Sequence, residues 1–392
     1  MRYNKLVEVA EIQTGPFGSQ LHKNDYVKIG TPIVTVEHLG QKDFSTQNLP
    51  CVADEDKQRL SKYILKYGDI VFSRVGSVDR CSYVSKKYDG WMFSGRCLRI
   101  RPLLEVDSEY LYYFFCLNET KEFVRGIATG ATMPSINTKF MGEVPVWYPE
   151  IETQKKIASI LAMIDNKIML NNQINENLEE QAQLIFNERF ISNDYEASQE
   201  TTLGEICNCI LGGTPSRAKA EYWNGDIPWI NSGEINRFRI TSPSELITQY
   251  GLNHSATKML PAKTTVLAIT GATLGQISLL EIDACANQSV VGILPNEVLP
   301  YEFIYPFIKA NIKELISHQT GGAQQHINKQ NVESLTVAVP TMPILEAFKV
   351  LVSPIYSMIA SNCFEITRLE QLRDSLLPKL MSGELDVSAV QL

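Results

Sequence analysis

Two long segments of the chain repeat apolar residues at alternating spacings of three and four, the pattern of an amphipathic helix that pairs with another helix. They cover residues 151–191 and the equivalent stretch of 341–392. Asn171 and Asn362 share one register in this pattern, where a buried polar residue specifies alignment; partial exposure of both is the alternative. The residues predicted to pair the two helices are Ile157, Leu161, Ile164, Ile168, Asn171, Leu178, Ile185, Val352, Ile355, Ile359, Asn362, Ile366, Leu369 and Leu376.

Prolines qualify the second of these helices. Pro354 predicts either a kink or, with Ser353, the first turn of a new helix, and Pro378 predicts an end or bend near Leu377. The second helix is therefore expected to be shorter than the first, or broken. The first, with about 40 residues, would span on the order of 60 Å.

The remaining sequence has the short apolar runs and turn residues of β structure. Runs at 69–75, 97–101, 265–270 and 290–294 are bounded by Gly, Pro and Asp, and short helical patterns lie near 109–117 and 302–316. We expect an α+β fold with a mostly antiparallel sheet in each half.

The two halves are copies of one another. Residues 129–149 align without a gap on 320–340, with six identities in 21 positions, among them Asn137 with Asn328. Residues 109–114 resemble 302–307, and 68–76 lie over 263–271. The fold expected is two pseudo-symmetric globular domains, separated by two long antiparallel coiled-coil-like helices. Predicted boundaries are 1–148 for the first domain, 149–192 for the first helix, 193–340 for the second domain and 341–392 for the second helix.

The charge is unevenly distributed. The whole chain carries a net charge of −8, but residues 1–148 carry +2 and residues 149–200 carry −6. A basic face on the first half is therefore compatible with an acidic chain. The eight cysteines are scattered apart from Cys207 and Cys209, which favours free thiols over a zinc site. No stretch approaches the roughly 18 uninterrupted apolar residues of a membrane span, so a cytoplasmic protein without membrane contact is expected.

Several enzyme classes lack their motifs here. The sequence has neither the Asn/Asp-Pro-Pro-aromatic loop of an amino-methyltransferase nor a phosphate-binding Gly-Lys pair. Asp107, Glu119 and Lys121 imitate the acidic and lysine residues of a Mg²⁺-dependent nuclease. Because the second half has no matching set, a stand-alone nuclease remains only an alternative, as does a protein-interaction adaptor without DNA binding.

Local motifs then resemble one family. The segments 15–19, 68–76, 212–216, 149–158 and, above all, 376–385 (Leu-Leu-Pro-Lys-Leu-Met-Ser-Gly-Glu-Leu) are similar to the specificity subunit of Type I restriction-modification enzymes. Their order and twofold repetition make the resemblance specific along the whole chain. One departure stands at Leu345, where the first copy has Gln154.

The resemblance implies a non-catalytic subunit that recognises double-stranded DNA. Each half would be a target recognition domain for one half of a bipartite, asymmetric sequence, and the helices would set the spacer and dock two methyltransferase subunits. Restriction/translocase subunits would join that core. No cofactor or metal is expected on this chain; S-adenosylmethionine, ATP and Mg²⁺ would belong to partner subunits.

Base readout favours Arg, Lys, Asn, Gln and small hydroxyl side chains in loops. The glutamine- and histidine-rich segment 324–330 carries the densest set. The predicted DNA-binding residues are Ser19, His22, Lys23, Arg74, Ser77, Arg80, Thr132, Ser135, Asn137 and Lys139 in the first half, and Arg217, Lys219, Trp223, Thr270, Thr273, Gln276, Gln324, Gln325, His326, Asn328 and Lys329 in the second. Asn137 and Asn328 are equally suited to capping a helix.

Overall fold

The computed structural model describes residues 1–16, 18–192, 194–317 and 326–390, with the backbone alone at Ser19 and Lys23. The chain divides into two compact units. The first comprises residues 1–166 and 370–392, and the second comprises residues 167–369. Each unit thus contains part of both long helices.

The first half is built from short strands and helices that precede the first long helix. Its elements are β1 (Arg2–Lys5), α1 (Leu6–Val9), β2 (Ala10–Thr14), β3 (Tyr26–Val27), β4 (Thr31–Val34), β5 (Cys51–Val52), α2 (Asp54–Arg59), β6 (Ile70–Ser73), β7 (Cys81–Tyr83), β8 (Met92–Phe93), β9 (Cys97–Pro102), α3 (Ser108–Cys116), α4 (Asn118–Ile127), α5 (Thr138–Gly142), β10 (Pro145–Tyr148) and the long helix α6 (Ile151–Phe190).

The second half repeats most of this order. Its elements are β11 (Ala197–Thr202), α7 (Leu203–Ile206), β12 (Cys209–Leu211), β13 (Trp223–Ile230), β14 (Glu245–Ile247), α8 (Gln249–Asn253), β15 (Met259–Leu260), β16 (Thr265–Ala268), β17 (Ile277–Leu279), β18 (Ala284–Ala286), β19 (Val290–Ile293), α9 (Tyr301–Ser317), α10 (Lys329–Glu333), β20 (Thr336–Pro340) and the long helix α11 (Met342–Ser382). Within the described residues it has no counterpart of β3, it has an additional strand, β15, and it has one helix, α9, in place of α3 and α4.

Sheet topology confirms the duplication. One antiparallel sheet has the order β2-β9-β6-β7 in the first half and β12-β19-β16-β17 in the second. A second, mixed sheet has the order β3-β5-β4-β8 and β14-β13-β18-β15. Its parallel pair is β4 with β8 in one copy and β13 with β18 in the other. A two-stranded ladder, β1 with β10 and β11 with β20, closes each half just before its long helix.

The apolar residues of sheet and helices form the cores. In the first unit, Phe72 of β6 and Phe115 of α3 lie edge to face, with ring centroids 4.7 Å apart. Ile157 and Leu161 of α6 and Leu377 and Leu380 of α11 belong to the same cluster. In the second unit, the corresponding cluster contains Ala182 and Phe186 of α6 together with Phe348 and Val352 of α11. The core of each unit therefore includes apolar residues from both long helices.

The two long helices are antiparallel, as predicted. In the first unit Arg373 Nη1 donates to Asp165 Oδ1 at 3.0 Å. In the second, Asn171 Nδ2 donates to Glu365 Oε2 at 2.7 Å, and Asn362 Nδ2 donates to Asn175 Oδ1 at 2.9 Å. Asn171 is 1% exposed, and Asn362 is partly buried. Asn171 lies in the seam and Asn362 at its edge, and each bonds a residue other than its repeat partner.

The seam departs from the predicted alternation. In α6 the buried positions after Ile168 are Asn171, Asn175, Glu179, Ala182, Phe186 and Phe190, a spacing of three, four and four. In α11 they are Leu345, Phe348, Val352, Tyr356, Ile359 and Cys363, with the same spacing. An 11-residue period follows a straight helix more closely than a strict heptad, which drifts by about 20° per repeat.

This drift moves several predicted residues to the edge of the seam. Ile157, Leu161, Ile168, Asn171, Val352 and Ile359 are buried, as expected for pairing residues. The partly buried ones are Ile164, Leu178, Ile185, Ile355, Asn362, Ile366, Leu369 and Leu376. Their C-terminal neighbours Glu179, Phe186, Tyr356, Cys363 and Leu377 are buried in place of five of them.

The expectation of a shorter or broken second helix is wrong. α11 contains 41 residues against 40 in α6, and it runs through both Pro354 and Pro378. Both prolines are exposed. Since proline removes only its own backbone donor, the carbonyl left without an intrahelical partner can be hydrated there, and packing on the opposite face keeps the helix continuous.

By length and composition α11 also has one window apolar enough to cross a membrane, with a mean hydropathy of 1.4. Part of that character is explained by Leu345, Phe348, Val352 and Tyr356, which lie in the core of the second unit. A core helix of a folded domain meets the same criterion.

Candidate nucleic-acid interface

Each half brings its loops together at one end of its antiparallel sheet. In the first half, Arg74 N donates to Arg96 O at 2.8 Å, Ile136 N donates to Arg74 O at 3.0 Å, and Gly76 N donates to Pro134 O at 2.8 Å. We call the segments 74–77, 94–97 and 129–137 the first loop junction.

The second half has the same arrangement. Ile269 N donates to Ser289 O at 2.9 Å, and Ile327 N donates to Ile269 O at 3.1 Å. Thr270 and His326 form a β-bridge, as Val75 and Ser135 do in the first half. The segments 269–276, 287–290 and 326–329 are the second loop junction.

Glycines make both junctions possible. An ideal Cβ on Gly15 would lie 2.2 Å from Ser94 O, and one on Gly212 would lie 2.1 Å from Asn287 O. A side chain at either position would collide with the backbone of the neighbouring loop. The glycine motifs after β2 and β12 thus serve close approach of two backbones.

Six of the predicted residues of the first half lie at or beside the first loop junction. Ser77, Thr132 and Lys139 are exposed, and Ser135 Oγ donates to Thr129 O at 3.3 Å. Arg74 Nη1 donates to Gly95 O at 3.3 Å, which uses part of its guanidinium within the junction. Asn137 Oδ1 accepts a hydrogen bond from Phe140 N at 2.9 Å and so caps α5.

Arg80, predicted as a free DNA contact, has a role inside the fold. Its guanidinium donates to Leu39 O, so it joins the β6–β7 hairpin to the segment that follows β4. His22 is exposed, and its backbone N donates to Asp25 Oδ2 at 2.6 Å. Ser19 and Lys23 lie in 3-10 turns, Gly18–Gln20 and Lys23–Asp25.

In the second half, the second loop junction contains Thr270, Thr273, Gln276, His326, Asn328 and Lys329. Thr273 Oγ1 donates to Thr270 O at 3.2 Å. Asn328 Oδ1 accepts from Asn331 N at 3.0 Å and caps α10, as Asn137 caps α5. Lys329 Nζ lies 3.1 Å from Glu333 Oε1. Gln324 and Gln325 lie outside the described residues.

Arg217, Lys219 and Trp223 form a separate group on the second half. Arg217 binds the Glu245 carboxylate through both terminal nitrogens, one of them at 2.8 Å, and its guanidinium carbon lies 3.7 Å from the centroid of the Trp223 ring. The hydrogen bond to Glu245 raises the pKa of Arg217, and the same bond lowers the pKa of Glu245. Lys219 Nζ donates to Tyr222 OH at 2.8 Å. These contacts restrain the side chains of Arg217 and Lys219, which the sequence predicted to bind DNA.

Arg96 and Gln288 lie in the loop junctions but were not among the predicted residues. Arg96 is exposed in the first loop junction, and Gln288 in the second accepts a hydrogen bond from Thr214 Oγ1. Residues 99–102 (Arg-Ile-Arg-Pro) also align with 292–295 (Gly-Ile-Leu-Pro), which places the residues just before β9 and β19 in equivalent loops.

The residues of the nuclease alternative have structural surroundings. Asp107 Oδ1 accepts hydrogen bonds from Glu109 N at 3.1 Å and Tyr110 N at 2.9 Å, so it caps α3. Within the described ranges, no group of three or more His, Cys, Asp or Glu residues is placed to hold a metal ion.

Gln154, which the sequence distinguishes from Leu345, is also internal. It is buried; its Oε1 accepts from Asp107 N at 2.8 Å, and its Nε2 donates to Pro149 O at 2.9 Å. Leu345 is buried in the apolar core of the second unit. The departure from the motif thus changes an internal contact.

Comparison with known proteins agrees with this geometry. The model of the family described as "Type I restriction modification DNA specificity domain" matches the chain twice, over residues 2–180 and 195–353. The chain is 25% identical to the Type I restriction enzyme HindI specificity subunit of Haemophilus influenzae, over 83% of this chain and 88% of that protein. It is 28% identical to the MjaIX specificity subunit of Methanocaldococcus jannaschii, over 74% and 71%.

A solved structure shares the fold. The S subunit of a Type I restriction-modification system from M. genitalium superposes with a TM-score of 0.58 at 17% identity, covering 97% of this chain and 95% of that one. The resemblance seen in segments such as 376–385 is therefore confirmed, and the nuclease and adaptor alternatives receive no support. Two family matches, a duplicated fold and two equivalent loop junctions establish that this chain belongs to the Type I restriction-modification DNA specificity family, as a non-catalytic subunit that recognises DNA sequence.

Proposed function

We propose that each half reads one half of a bipartite, asymmetric DNA target. The observation that supports this is the pair of loop junctions, which share their backbone hydrogen bonds and differ in their side chains. Arg74 corresponds to Ile269, Ser135 to His326, and Gly95-Arg96 to Gln288-Ser289. One scaffold with two sets of donors suits two different half-sites.

The DNA-contact residues proposed are those that the junctions leave exposed or half-buried. Ser77, Thr132, Lys139 and Arg96, all exposed, serve the first half-site; exposed His326 and Gln288 and half-buried Thr273 and Gln276 serve the second. Asn137 and Asn328 retain amide donors beyond their capping oxygen. Arg74, Arg80, Arg217, Lys219, Trp223 and Lys329 act chiefly by shaping the loops. His22, Ser19, Lys23, Gln324 and Gln325 remain proposed DNA-binding residues.

The long helices fix the number of base pairs between the half-sites, and they dock two methyltransferase subunits. A 40-residue helix spans about 60 Å at 1.5 Å per residue, within the roughly 34 to 70 Å that separates readers one to two turns apart on DNA. Restriction/translocase subunits join that assembly in the cytoplasm. S-adenosylmethionine, ATP and Mg²⁺ belong to those partners.

Single-molecule sequencing of the host genome, with and without this gene, tests the proposal. We expect a split motif with unlike halves whose methylated adenines disappear when the gene is deleted, and return when it is restored. Loss of a continuous or palindromic motif would contradict reading by two different halves. Deletion of the methyltransferase gene is the control, because it must remove the same motif.

A further inference from the structure

Two polar networks join the recognition loops to the long helices, one within each unit; the first is partly buried, and the second contains a fully buried arginine. The first consists of Lys42, Tyr113, Asp165 and Arg373, with Glu109 paired to Lys42 Nζ at 2.6 Å. Lys42 Nζ donates to Tyr113 OH at 3.0 Å, and Tyr113 OH donates to Asp165 Oδ2 at 2.6 Å. Asp165 lies on α6 and bonds Arg373 of α11 at 3.0 Å. One chain of hydrogen bonds therefore connects a loop of the first half to both helices.

Hydrogen bonds connect the segment around Lys42 to the β6–β7 hairpin, which forms part of the first loop junction. Arg80, at the end of the β6–β7 hairpin, donates to Leu39 O, and Ser82 Oγ donates to Gln41 O at 2.6 Å. Tyr83 N donates to Lys42 O at 2.9 Å. The segment that carries Lys42 is thus attached to the hairpin whose tip forms part of the junction.

The second network consists of Glu179, Arg239, Tyr305 and Lys309. Arg239 Nη2 donates to Glu179 Oε2 at 2.6 Å, and Arg239 Nη1 donates to Tyr305 OH at 3.0 Å. Lys309 Nζ binds the other oxygen of Glu179 at 2.6 Å. The side chain of Arg239 is fully buried. Thr241 and Thr367 of α11 share a hydrogen bond of 2.8 Å, which ties the same loop to the second helix.

The networks are equivalent in design though different in residues. Each takes a basic residue from the loop between β4 and β5 or the loop between β13 and β14. Each also takes a tyrosine from α3 or α9 and a carboxylate from α6. In the second network, burying the charges of Arg239 and Glu179 costs free energy that apolar packing would not, so a purely stabilising role explains that network poorly. Directional bonds, in contrast, fix the angle at which one element meets another.

We infer that Tyr113 and Arg239 are positioning residues that hold each recognition half at one angle on the helix pair and thereby make target choice strict in spacer length. The inference rests on the proposed function. Without these bonds each half can rock on apolar contacts alone, and half-sites one base pair too near or too far come within reach.

The test uses the complete methyltransferase complex containing this chain. Its substrates are duplexes that carry the genomic motif with the native spacer, or with a spacer one base pair shorter or longer. The quantity measured is the ratio of the methylation rate on the native spacer to that on each altered spacer. General destabilisation lowers both rates and leaves this ratio unchanged, so the ratio isolates positioning.

Tyr113→Phe removes one hydroxyl from the first network and keeps the ring in the core. That hydroxyl takes part in two hydrogen bonds, with Lys42 and with Asp165. We expect its loss to lower the ratio at least about fivefold, which corresponds to one hydrogen bond of about 1 kcal/mol. Arg239→Met should have a larger effect through the second half, and Arg239→Lys, which keeps a charge for Glu179, should recover part of it. Matched controls are Tyr3→Phe, at a residue that is 74% exposed, and Arg237→Lys.

Unchanged ratios for both Tyr113→Phe and Arg239→Met, in complexes that still require the native spacer, would overturn the inference and leave the proposed function intact. A native complex that methylates no split target would instead contradict the proposed function, and this inference with it.

Discussion

Asparagine caps the short helix that follows the loop junction in each half. The sequence identified Asn137 and Asn328 through the repeat but left two roles open for them. The capping role is now shown for both, because each side-chain oxygen accepts a backbone hydrogen bond three residues on. Reading of DNA by the remaining amide donors stays a proposal.

Replacing the cap should weaken the first unit. We expect Asn137→Ala to lower the free energy of unfolding by about 1 kcal/mol, because Phe140 N loses its acceptor. Asn137→Asp preserves the acceptor and should stay within about 0.5 kcal/mol of the native chain. Urea denaturation of the three chains gives the answer, and equal losses for both variants would show that the cap contributes nothing.

Glu179 makes the second unit sensitive to acid. Burial opposes its ionisation, but Arg239 and Lys309 outweigh that effect and hold its pKa below the ordinary value. The folded state therefore binds this proton less readily than the unfolded state. The stabilisation is complete above the unfolded value, near 4.5, and is lost as the pH falls through the lower pKa of the folded state.

Glu179→Gln removes this titration. We expect the difference in unfolding free energy between the native chain and the variant to be largest at pH 7 and to shrink below about pH 4.5. Urea titrations at several pH values between 7 and 3 measure it, with Glu180→Gln, at an exposed neighbour, as the control. A constant difference across that range would mean that the ionised carboxylate is not what stabilises the unit.

Some residue roles were beyond the reach of sequence. Arg217 has the type and place of a base reader, yet Glu245 and Trp223 engage its guanidinium. Glu245 lies 28 residues away in the chain, and only the pairing of β13 with β14 brings it alongside. The residues next to Arg217 in the sequence therefore could not predict its ion pair with Glu245.

At the scale of elements, the first long helix was predicted within a few residues, but the continuity of the second helix and the seam between the two were not. The predicted buried positions alternate by three and four residues, whereas the observed ones are spaced by three, four and four. The two patterns therefore share their first positions and differ by one residue further along the helix. The prediction therefore holds at Ile168 and Asn171 and fails at Leu178, where Glu179 is buried instead. The sequence pattern did not identify Glu179 as a buried position, because a carboxylate is rarely fully buried unless it is paired.

Leu376 and Leu377 test which spacing holds at the end of α11. Leu377 is buried in the core of the first unit, whereas Leu376 is only partly buried against it. We expect Leu377→Ala to cost about 2–5 kcal/mol of unfolding free energy and Leu376→Ala clearly less. Thermal and urea unfolding of the two variants make the comparison, and the reverse order would restore the heptad seam.

At the scale of the whole molecule, the duplication carried most of what the sequence could establish. It predicted two copies of one α+β fold and equivalent loops, because insertions in loops leave the strand and helix patterns intact. It could not predict the mixed sheet of each half, where β4 pairs with β8 in parallel, since all of the strands but β13 have only two to four residues, too few to show a period. The order of strands within a sheet depends on contacts far apart in the chain.

Two copies that share a scaffold should also be separable in their effects on the target. Arg96 belongs to the first loop junction alone, so Arg96→Gln should relax one position of one half-site and leave the other half-site and the spacer unchanged. The loss of one bidentate base contact corresponds to about 1–3 kcal/mol of discrimination, or roughly five- to a hundredfold. Sequencing of methylated adenines in cells that express the variant would show a degenerate base in one half of the motif.

Arg59→Gln, on α2, is the control expected to leave the motif intact. A variant that altered both half-sites together would mean that the two junctions read DNA as a single surface, and independent reading by the two halves would then be wrong.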